Sequence, residues 1–213
     1  MKNNSRRGII ITTLICLLPI LAGLCLYDRL PETIATHFGV NGEANGWSSR
    51  VFTVFGLPAL MAGGNLLVWF ALCTDPKKKN MNPTLRALAV WMVPVLSVLL
   101  SAMTLGNALG YAMHIEIATP LLLGLLYVVI GNYLPKTRQS YTMGIKLPWT
   151  LASEENWSRT HRIAGFLWVF GGILTILFTL LRVWFFWLLF ILITLLLVLV
   201  PTVYSFLLYK KGI

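Results

Sequence analysis

Histidines and acidic residues that could hold a metal are sparse in this chain of 213 residues, which has three histidines and seven Asp+Glu. Imidazole and carboxylate groups are common metal ligands, so His37 and His114 could contribute to a small metal site. His114 and Glu116 are two positions apart, a spacing that on a helix would place them on different faces. The sequence therefore leaves His37 and His114 as weak metal candidates, and we predict no cofactor.

Motifs that would support catalysis are missing from the sequence. It contains no H-E-x-x-H, no G-x-S-x-G, no P-loop and no paired-cysteine pattern. Each of these motifs brings a nucleophile, a base, a metal ligand or a phosphate-binding backbone into one place. We therefore predict that the protein is not an enzyme. A membrane-embedded metal enzyme that uses the two histidines is a minor alternative.

A segment at 28–51 has the composition of a structured loop. Asn41-Gly42 and Asn45-Gly46 both predict tight turns, because Asn and Gly tolerate positive φ. The alternation of residues 34, 36, 38 and 40 before them predicts a short strand. The loop is either an interfacial cap held by its aromatic residues or a surface for external recognition. The candidate recognition residues are His37, Phe38, Asn41, Gly42, Gly46 and Trp47.

A second polar segment, at 135–162, carries a different pattern. Residues 141, 143, 145, 147 and 149 are all apolar or aromatic, and this alternation predicts an extended segment with one apolar face. Pro148 is expected to keep Leu147 extended. Ser153 is a good helix N-cap, so we predict a helix from this point that continues into the next apolar stretch. Lys77, in the preceding polar loop, is predicted to be an exposed cation.

The rest of the chain must hold these two loops, and its composition indicates a membrane. Residues of the AVILMFWYC set make up 57% of the chain and charged residues only 11%, against about a quarter in soluble domains. About 20 apolar residues cross a bilayer as a helix. Six stretches are long enough: 8–27, 52–73, 85–105, 117–134, 163–181 and 184–208. We predict an all-α integral membrane protein with a tight turn near Arg182 between the last two spans.

The positions of the cations predict the topology. Cytoplasmic loops of membrane proteins carry an excess of Lys and Arg. With six spans, fourteen of the seventeen Lys+Arg fall on one side of the membrane and three on the other. Both termini and segment 135–162 are therefore predicted to be cytoplasmic, with segment 28–51 outside. The net charge of +10 is explained by this asymmetry, and we predict no direct contact with nucleic acid.

We expect three regions along the chain. Residues 1–74 hold the first two spans with the outer loop 28–51, residues 75–134 hold spans three and four, and residues 135–213 hold the inner loop and spans five and six. The small polar residues within the spans are expected to hydrogen-bond between helices. A small transporter or channel is a further alternative, although the spans contain almost no ionisable residue for a midplane site.

At the two loops the sequence resembles the SdpI family of bacterial immunity proteins. The family's inner-loop motif reads roughly G-I-R-T-P-W-T-L, followed by an acidic turn, a Trp and a Thr-His pair. The outer loop is similar to the domain that precedes this motif, through Leu30-Pro31, His37-Phe38, Asn41-Gly42 and Gly46-Trp47. The corresponding inner-loop residues here are Arg138, Gly144, Ile145, Lys146, Leu147, Pro148, Trp149, Thr150, Leu151, Trp157, Thr160, His161 and Arg162.

This resemblance implies a multi-pass protein of the bacterial plasma membrane that protects the cell from a secreted toxin peptide. In some members it also implies toxin sensing, with a cytoplasmic transcriptional repressor recruited to the membrane. Lys146 and Leu147 stand where the family pattern has Arg-Thr. Lysine cannot make the planar bidentate contact of arginine, so immunity and repressor recruitment are treated as separable expectations.

Overall fold

The computed structural model describes residues 2–39 and 42–213, with residues 2–4 described by their backbone alone. Within these residues, six helices are long and apolar enough to cross a membrane. They are Ser5–Cys25, Phe52–Thr74, Pro83–Ala108, Ile115–Lys136, Glu154–Leu180 and Phe186–Lys210. The predicted class, an all-α multi-pass membrane protein with six spans, is confirmed.

Seven α-helices and one hairpin make up the regular structure of the described residues. In chain order they are α1 Lys2–Cys25, β1 Thr33–Phe38, β2 Ala44–Ser49, α2 Leu57–Thr74, α3 Pro83–Ala108, α4 Ile115–Tyr133, α5 Pro148–Ala152, α6 Glu154–Leu180 and α7 Phe186–Lys210. A wider helical turn, Phe52–Gly56, leads into α2.

The helix termini follow the capping signals of the sequence. Ser153 has an extended backbone, and its hydroxyl accepts a hydrogen bond from the Asn156 backbone N–H, so α6 begins at Glu154 as expected and continues through the fifth span. At its other end α6 stops at Leu180. Arg182 has a φ of 49°, and α7 starts at Phe186. The predicted turn between the last two spans is therefore confirmed.

The described chain divides into two compact units. The first comprises Met1–Cys73 and Arg86–Glu116, and the second comprises Thr74–Leu85 and Ile117–Ile213. The first unit contains the outer hairpin with α1 and α3, and the second contains the inner loop with α4 to α7. Each candidate region therefore lies within a single unit.

The hairpin of the first unit rests on a small apolar core. Leu30, Ile34, Val54 and Leu105 are buried together, with Ile34 only 1% exposed. Ile34 lies on the inward face of β1, so the strand is anchored through one side while its other side stays open. Burying a side chain of this size stabilises the fold by about 1.5–3 kcal/mol. The core therefore fixes the hairpin against the ends of the helices.

Polar residues within the spans follow two patterns. Some bond between helices, as expected: the Asn65 amide donates to the hydroxyls of Thr12 and Thr13, each at 3.0 Å, and the Ser97 hydroxyl donates to the Cys16 carbonyl at 2.9 Å. Others bond within their own helix. Thr104, Thr175, Thr179 and Thr202 each donate to the carbonyl four residues earlier. The expectation of interhelical bonding was therefore right for only part of the set.

Candidate functional site

The outer loop is an antiparallel hairpin of β1 and β2. Thr33 pairs with Ser49 and Ala35 with Trp47, and the register shifts at His37, which faces Gly46. Gly42 has a φ of 81°, and its N–H donates to the Gly39 carbonyl at 3.0 Å, which agrees with a turn there. The other half of that predicted turn dipeptide, Asn41, lies outside the described residues, as does Val40.

The second predicted turn, Asn45-Gly46, is wrong. Both residues belong to β2; Gly46 pairs with His37 of β1, and Asn45 lies at the register shift between this pair and the pair of Phe38 with Ala44. The reason is steric as well as topological: a Cβ on Gly46 would lie 2.9 Å from the Cβ of His37. The glycine therefore allows the two strands to approach at the register shift, a role that glycine has at bulges in strands.

A cation holds the base of the hairpin. The Arg50 guanidinium donates to the carbonyls of Tyr27 and Leu30 at 3.0 and 3.1 Å. The same group lies 4.4 Å from the centre of the Tyr27 ring, within the range of a cation–π contact. Arg50 directly follows β2, and it therefore ties the base of the hairpin to the turn that follows α1.

One face of the hairpin is open to its surroundings. His37 is exposed, and its Nδ1 atom lies 2.5 Å from the Asn45 Oδ1 atom in a hydrogen bond. Trp47, on the same strand as Asn45, is 61% exposed. Phe38 is only half-buried. The predicted recognition residues His37 and Trp47 are thus presented outward by strands whose opposite side is anchored through Ile34.

The two histidines considered for a metal site each have a nearby partner. His114 Nδ1 lies 3.2 Å from Glu116 Oε1. The prediction that this pair diverges on a helix was wrong, because His114 precedes α4 and has a φ of 39°. Glu116 also borders the hairpin turn, since a Cβ on Gly42 would lie 2.7 Å from its Oε2 atom. No group of three metal-ligating side chains occurs within residues 5–39 and 42–213.

The inner loop is built around a stacked pair of rings. Trp157 and His161, one turn apart on α6, lie with their ring centres 4.0 Å apart, and both are buried. The His161 Nδ1–H donates to the Trp157 carbonyl at 2.7 Å, and its Nε2 accepts the Ile145 N–H at 2.8 Å. One ring nitrogen donates and the other accepts, which fixes the tautomer.

Gly144 is the residue that lets the loop lie against this pair. Its φ is 101°, a conformation that L side chains rarely adopt. A Cβ there would lie 2.5 Å from the Nε2 atom of His161 and 2.7 Å from the Cζ2 atom of Trp157. The indole N–H of Trp157 meanwhile donates to the Thr137 carbonyl at 3.0 Å. Trp157 therefore ties the start of the loop to its centre.

The loop does not form the extended apolar segment that its alternation predicted. Residues 141–144 form a series of bends, residues 145–147 have no regular structure, and α5 begins at Pro148. Leu147 is extended before this proline, as expected, with φ −115° and ψ 153°. The Thr150 hydroxyl is the reason for the bend: it accepts the Leu147 N–H at 2.9 Å and lies 2.8 Å from the Ile145 carbonyl. Hydrogen bonds between this side chain and the nearby backbone therefore favour a bent chain over the predicted extended segment.

A buried carboxylate fixes the start of the loop from another segment. Asp75 is 3% exposed. Its carboxylate accepts the Ser140 hydroxyl at 2.7 Å, the Thr142 N–H at 2.9 Å and the Lys77 N–H at 2.7 Å. Burial alone would raise the pKa of Asp75, but the hydrogen bonds from Ser140, Thr142 and Lys77 outweigh it and hold this pKa below its ordinary value.

The low pKa of Asp75 predicts a loss of stability in acid. A carboxylate whose pKa is depressed by folding contributes stability that is complete above its unfolded pKa, near 3.9, and is lost as the pH falls through the folded value. We expect Asp75→Asn to unfold at a lower temperature than the unmodified protein at pH 7, with a difference that shrinks below about pH 4. Thermal unfolding in detergent from pH 7 to 3 measures this. A difference that stays constant with pH would contradict the role of the charge.

Gln139 is a second buried link between the two segments. Its amide donates to the Thr150 carbonyl at 3.0 Å, and its Oε1 accepts the Lys77 ammonium at 2.6 Å. The Lys77 ammonium also lies 5.6 Å from the Tyr141 ring centre. The expectation that Lys77 is simply an exposed cation was wrong, because its side chain is drawn onto the inner loop.

The inner loop continues into a polar cluster at the start of α6. Asn156, fully buried, donates to the Ser205 carbonyl at 3.0 Å and to the Ile213 carbonyl at 3.1 Å. Its Oδ1 accepts the Ser205 hydroxyl at 2.8 Å and the Thr160 hydroxyl at 3.2 Å. Thr160, a motif residue, therefore holds the Asn156 side chain, which joins the beginning of α6 to the end of α7.

Trp149 lies apart from the stacked pair, against α7. Its ring centre is 5.4 Å from that of Phe206 and 6.1 Å from that of Tyr209. Its indole nitrogen is buried and has no hydrogen-bond partner among the described residues. The neighbouring Leu151 contributes its carbonyl, which accepts from Gln139 at 3.3 Å. The P-W-T-L run thus packs α5 onto α7.

The motif cations are exposed. Arg138 and Arg162 both lie at the surface, and Lys146 donates to the Thr142 carbonyl at 3.1 Å from an exposed position. The motif therefore separates into an exposed set of cations and a framework of mostly buried or half-buried residues, in which Pro148 at the start of α5 is exposed. The framework comprises Gly144, Ile145, Pro148, Trp149, Thr150, Leu151, Trp157, Thr160 and His161.

Several buried polar residues that hold this framework in place were not predicted from the sequence. They are Asp75, Gln139, Ser140, Asn156 and Ser205. Asp75-Pro76-Lys77 carried a recognisable signal, because an Asp side chain that accepts the N–H two residues later forms an Asx turn. The bond to Ser140, however, spans 65 positions, and nothing in one sequence shows such a pairing.

Two segments of the chain match known protein families. Residues 136–205 match the model of the SdpI/YfhL protein family, and residues 14–62 match a domain of unknown function, DUF1648. The chain is 28% identical over 211 residues to "Immunity protein SdpI" of Bacillus subtilis (strain 168), covering 99% of this chain and 98% of that protein. No solved structure matches the chain significantly. The two family matches contain the outer hairpin and the inner loop. The match over residues 136–205 and the likeness to an immunity protein over 99% of the chain together support membership of the SdpI/YfhL protein family.

Proposed function

We propose that this protein gives a bacterial cell immunity to a secreted, membrane-active toxin peptide. The observation that carries the proposal is the likeness to an immunity protein along almost the full length of both chains. The six spans make it a multi-pass membrane protein surrounded by lipid. Its residues show no motif that would favour catalysis over binding, so we infer a non-enzymatic mechanism.

The distribution of charges supports a proposed orientation. With fourteen of seventeen Lys+Arg on one side, the positive-inside rule favours cytoplasmic termini and a cytoplasmic inner loop. The hairpin then lies on the outer side, where a secreted peptide arrives. Periplasmic or external labelling of a cysteine placed at Asn45 would test this orientation, with one placed at Lys79 as the cytoplasmic control.

The outer hairpin is the proposed contact for the toxin. Its inward side is anchored through Ile34 and Arg50, while His37 and the 61% exposed Trp47 point away. An aromatic ring on a rigid strand supplies a large contact area at low entropic cost. This combination suits an amphipathic peptide that approaches along the membrane surface.

The inner loop is the proposed link to a cytoplasmic event. Its framework, held by Asp75, Gly144 and His161, would position the exposed Lys146 and Arg162 toward the cytoplasm. A cytoplasmic transcriptional repressor is the partner that the family resemblance implies. Because Lys146 replaces the arginine of the family pattern, we propose immunity as the primary activity and recruitment of a repressor as a separable one.

A survival assay tests the proposed function. The full chain is expressed in a toxin-sensitive bacterium, which is then exposed to a panel of secreted antimicrobial peptides. We expect protection against at least one peptide, whereas cells that carry an empty vector should be killed by it. Unchanged killing across the panel, with the protein present in the membrane fraction, would contradict immunity.

A further inference from the structure

A cavity of about 450 Å³ opens in the second unit beside the end of α4 and the start of α6. This volume is in the range of ligand sites, about 300–1,000 Å³. Its walls are mainly polar and include both charges and neutral donors. The residues that line it include Asn80, Lys136, Thr137, Arg138, Glu154 and Ser158.

The cavity lies at the level where the membrane meets water. α6 has 27 residues, about 40 Å at about 1.5 Å per residue, whereas the hydrocarbon core is about 30 Å thick. The polar and charged residues of α6 are concentrated in its first two turns, beginning with Glu154 and Glu155, so the excess length lies at this end. The turn Leu134–Lys136 likewise marks the end of the fourth span. Phospholipid headgroups occupy this depth.

Two cations, Lys136 and Arg138, line the same cavity, and both are exposed. Thr137 lies between them in an extended conformation, with φ −80° and ψ 137°. Over the described residues, neither is within ion-pair distance of a carboxylate. The Lys136 ammonium lies 4.7 Å from the Tyr133 ring centre, within the range of a cation–π contact.

The remaining polar groups complete a site for an anion. Arginine presents a planar fork that suits phosphate, and lysine adds a compact charge. The Asn80 amide and the Ser158 hydroxyl are neutral donors on the same cavity. Glu154 is the one acidic residue in the lining, so the two cations outnumber it and a phosphate group is favoured over a cationic ligand.

We propose that this cavity binds the phosphodiester of an anionic phospholipid headgroup, with Arg138 and Lys136 as its ligands. Inorganic phosphate shares this chemistry, but the headgroup depth of the cavity favours a lipid. The bound group would also stabilise the inner loop. Between the two cations, the Thr137 carbonyl accepts the Trp157 indole N–H at 3.0 Å, so fixing residues 136–138 holds that bond in place.

Ligand-dependent thermal unfolding tests the proposal. The full chain in a neutral maltoside detergent is titrated with short-chain phosphatidylglycerol, with the matching diacylglycerol that lacks phosphate, and with inorganic phosphate. We expect phosphatidylglycerol to raise the unfolding temperature at far lower concentration than phosphate, and diacylglycerol to have no effect. Arg138→Gln and Lys136→Gln should each weaken phosphatidylglycerol binding about tenfold, the size of one charge-assisted hydrogen bond.

Two further variants make the result specific. Glu154→Gln should tighten phosphatidylglycerol binding because it removes a repulsive carboxylate from the cavity. Lys79→Gln, an exposed cation outside the cavity lining, should leave binding unchanged. Equal binding by the unmodified protein, Arg138→Gln and Lys136→Gln would overturn the site. If inorganic phosphate bound as tightly as phosphatidylglycerol, the proposal that the bound phosphate group belongs to a lipid would be overturned. Neither measurement depends on toxin protection.

Discussion

Replacing Gly144 by alanine is expected to disrupt the inner loop and to cost about 2–5 kcal/mol of stability. A non-glycine residue at positive φ costs about 1–2 kcal/mol, and overpacking adds about 1–3 kcal/mol or more. The new methyl group would have to displace both the His161 and the Trp157 rings, which lie 2.5 and 2.7 Å from its position. The bond from the Ile145 N–H to His161 would break as a result. Unfolding by SDS titration in mixed micelles measures the loss.

Gly110 offers a matched control for this substitution. It also has a positive φ, 87°, but a Cβ there would meet nothing within 4 Å. Gly110→Ala should therefore cost only the backbone part, about 1–2 kcal/mol. Equal costs for the two variants would show that the packing of Gly144 against the two rings does not stabilise the protein.

Replacing Asn156 by alanine is expected to cost about 3 kcal/mol or more and to loosen the contact between α6 and α7. The side chain is fully buried and makes four hydrogen bonds, to Ser205, Thr160 and Ile213. Its removal leaves several buried polar groups without a partner, and each such group costs about 1–3 kcal/mol. The free energy of unfolding and hydrogen exchange at the end of α7 measure the effect.

Ser205→Ala is the graded control for Asn156. It removes the one bond from the Ser205 hydroxyl to Asn156 Oδ1 and leaves both amide donors of Asn156 bonded to backbone carbonyls. We expect a cost of about 1 kcal/mol, close to that of a single hydrogen bond. A loss as large as that of Asn156→Ala would place the stabilising effect in Ser205 and not in the amide.

Features that depend on short stretches of sequence were predictable. The spans followed from runs of about 20 apolar residues, and the start of α6 followed from Ser153, whose hydroxyl caps the helix as its residue type suggested. The turn at Arg182 was predicted from length alone, because one helix over both spans would exceed the thickness of a bilayer. Each of these depends on the length or residue types of one continuous stretch of the chain.

Features set by distant pairing or local competition were not predictable. Asn45-Gly46 has the composition of a turn, yet pairing with β1 placed it in a strand. The alternation at 141–149 has the period of a strand, yet the Thr150 hydroxyl and the positive φ of Gly144 bend the chain. Lys77 lies in a basic loop, yet Gln139, 62 positions away, binds its ammonium. The amino-acid sequence alone does not show which of these residues lie close together in the folded protein.

The measurement that tests the account most directly is the survival of toxin-exposed cells that express Trp47→Ala. This ring is exposed on the outer hairpin, so its removal should leave folding intact while the contact for the peptide is lost. Trp184, 82% exposed in the turn between α6 and α7, lies on the same side of the proposed topology and supplies the matched control Trp184→Ala. We expect the Trp47 variant, at normal membrane levels, to lose most of the protection and the Trp184 variant to keep it. Full protection by the Trp47 variant, or equal losses by both, would contradict recognition of the toxin by the hairpin.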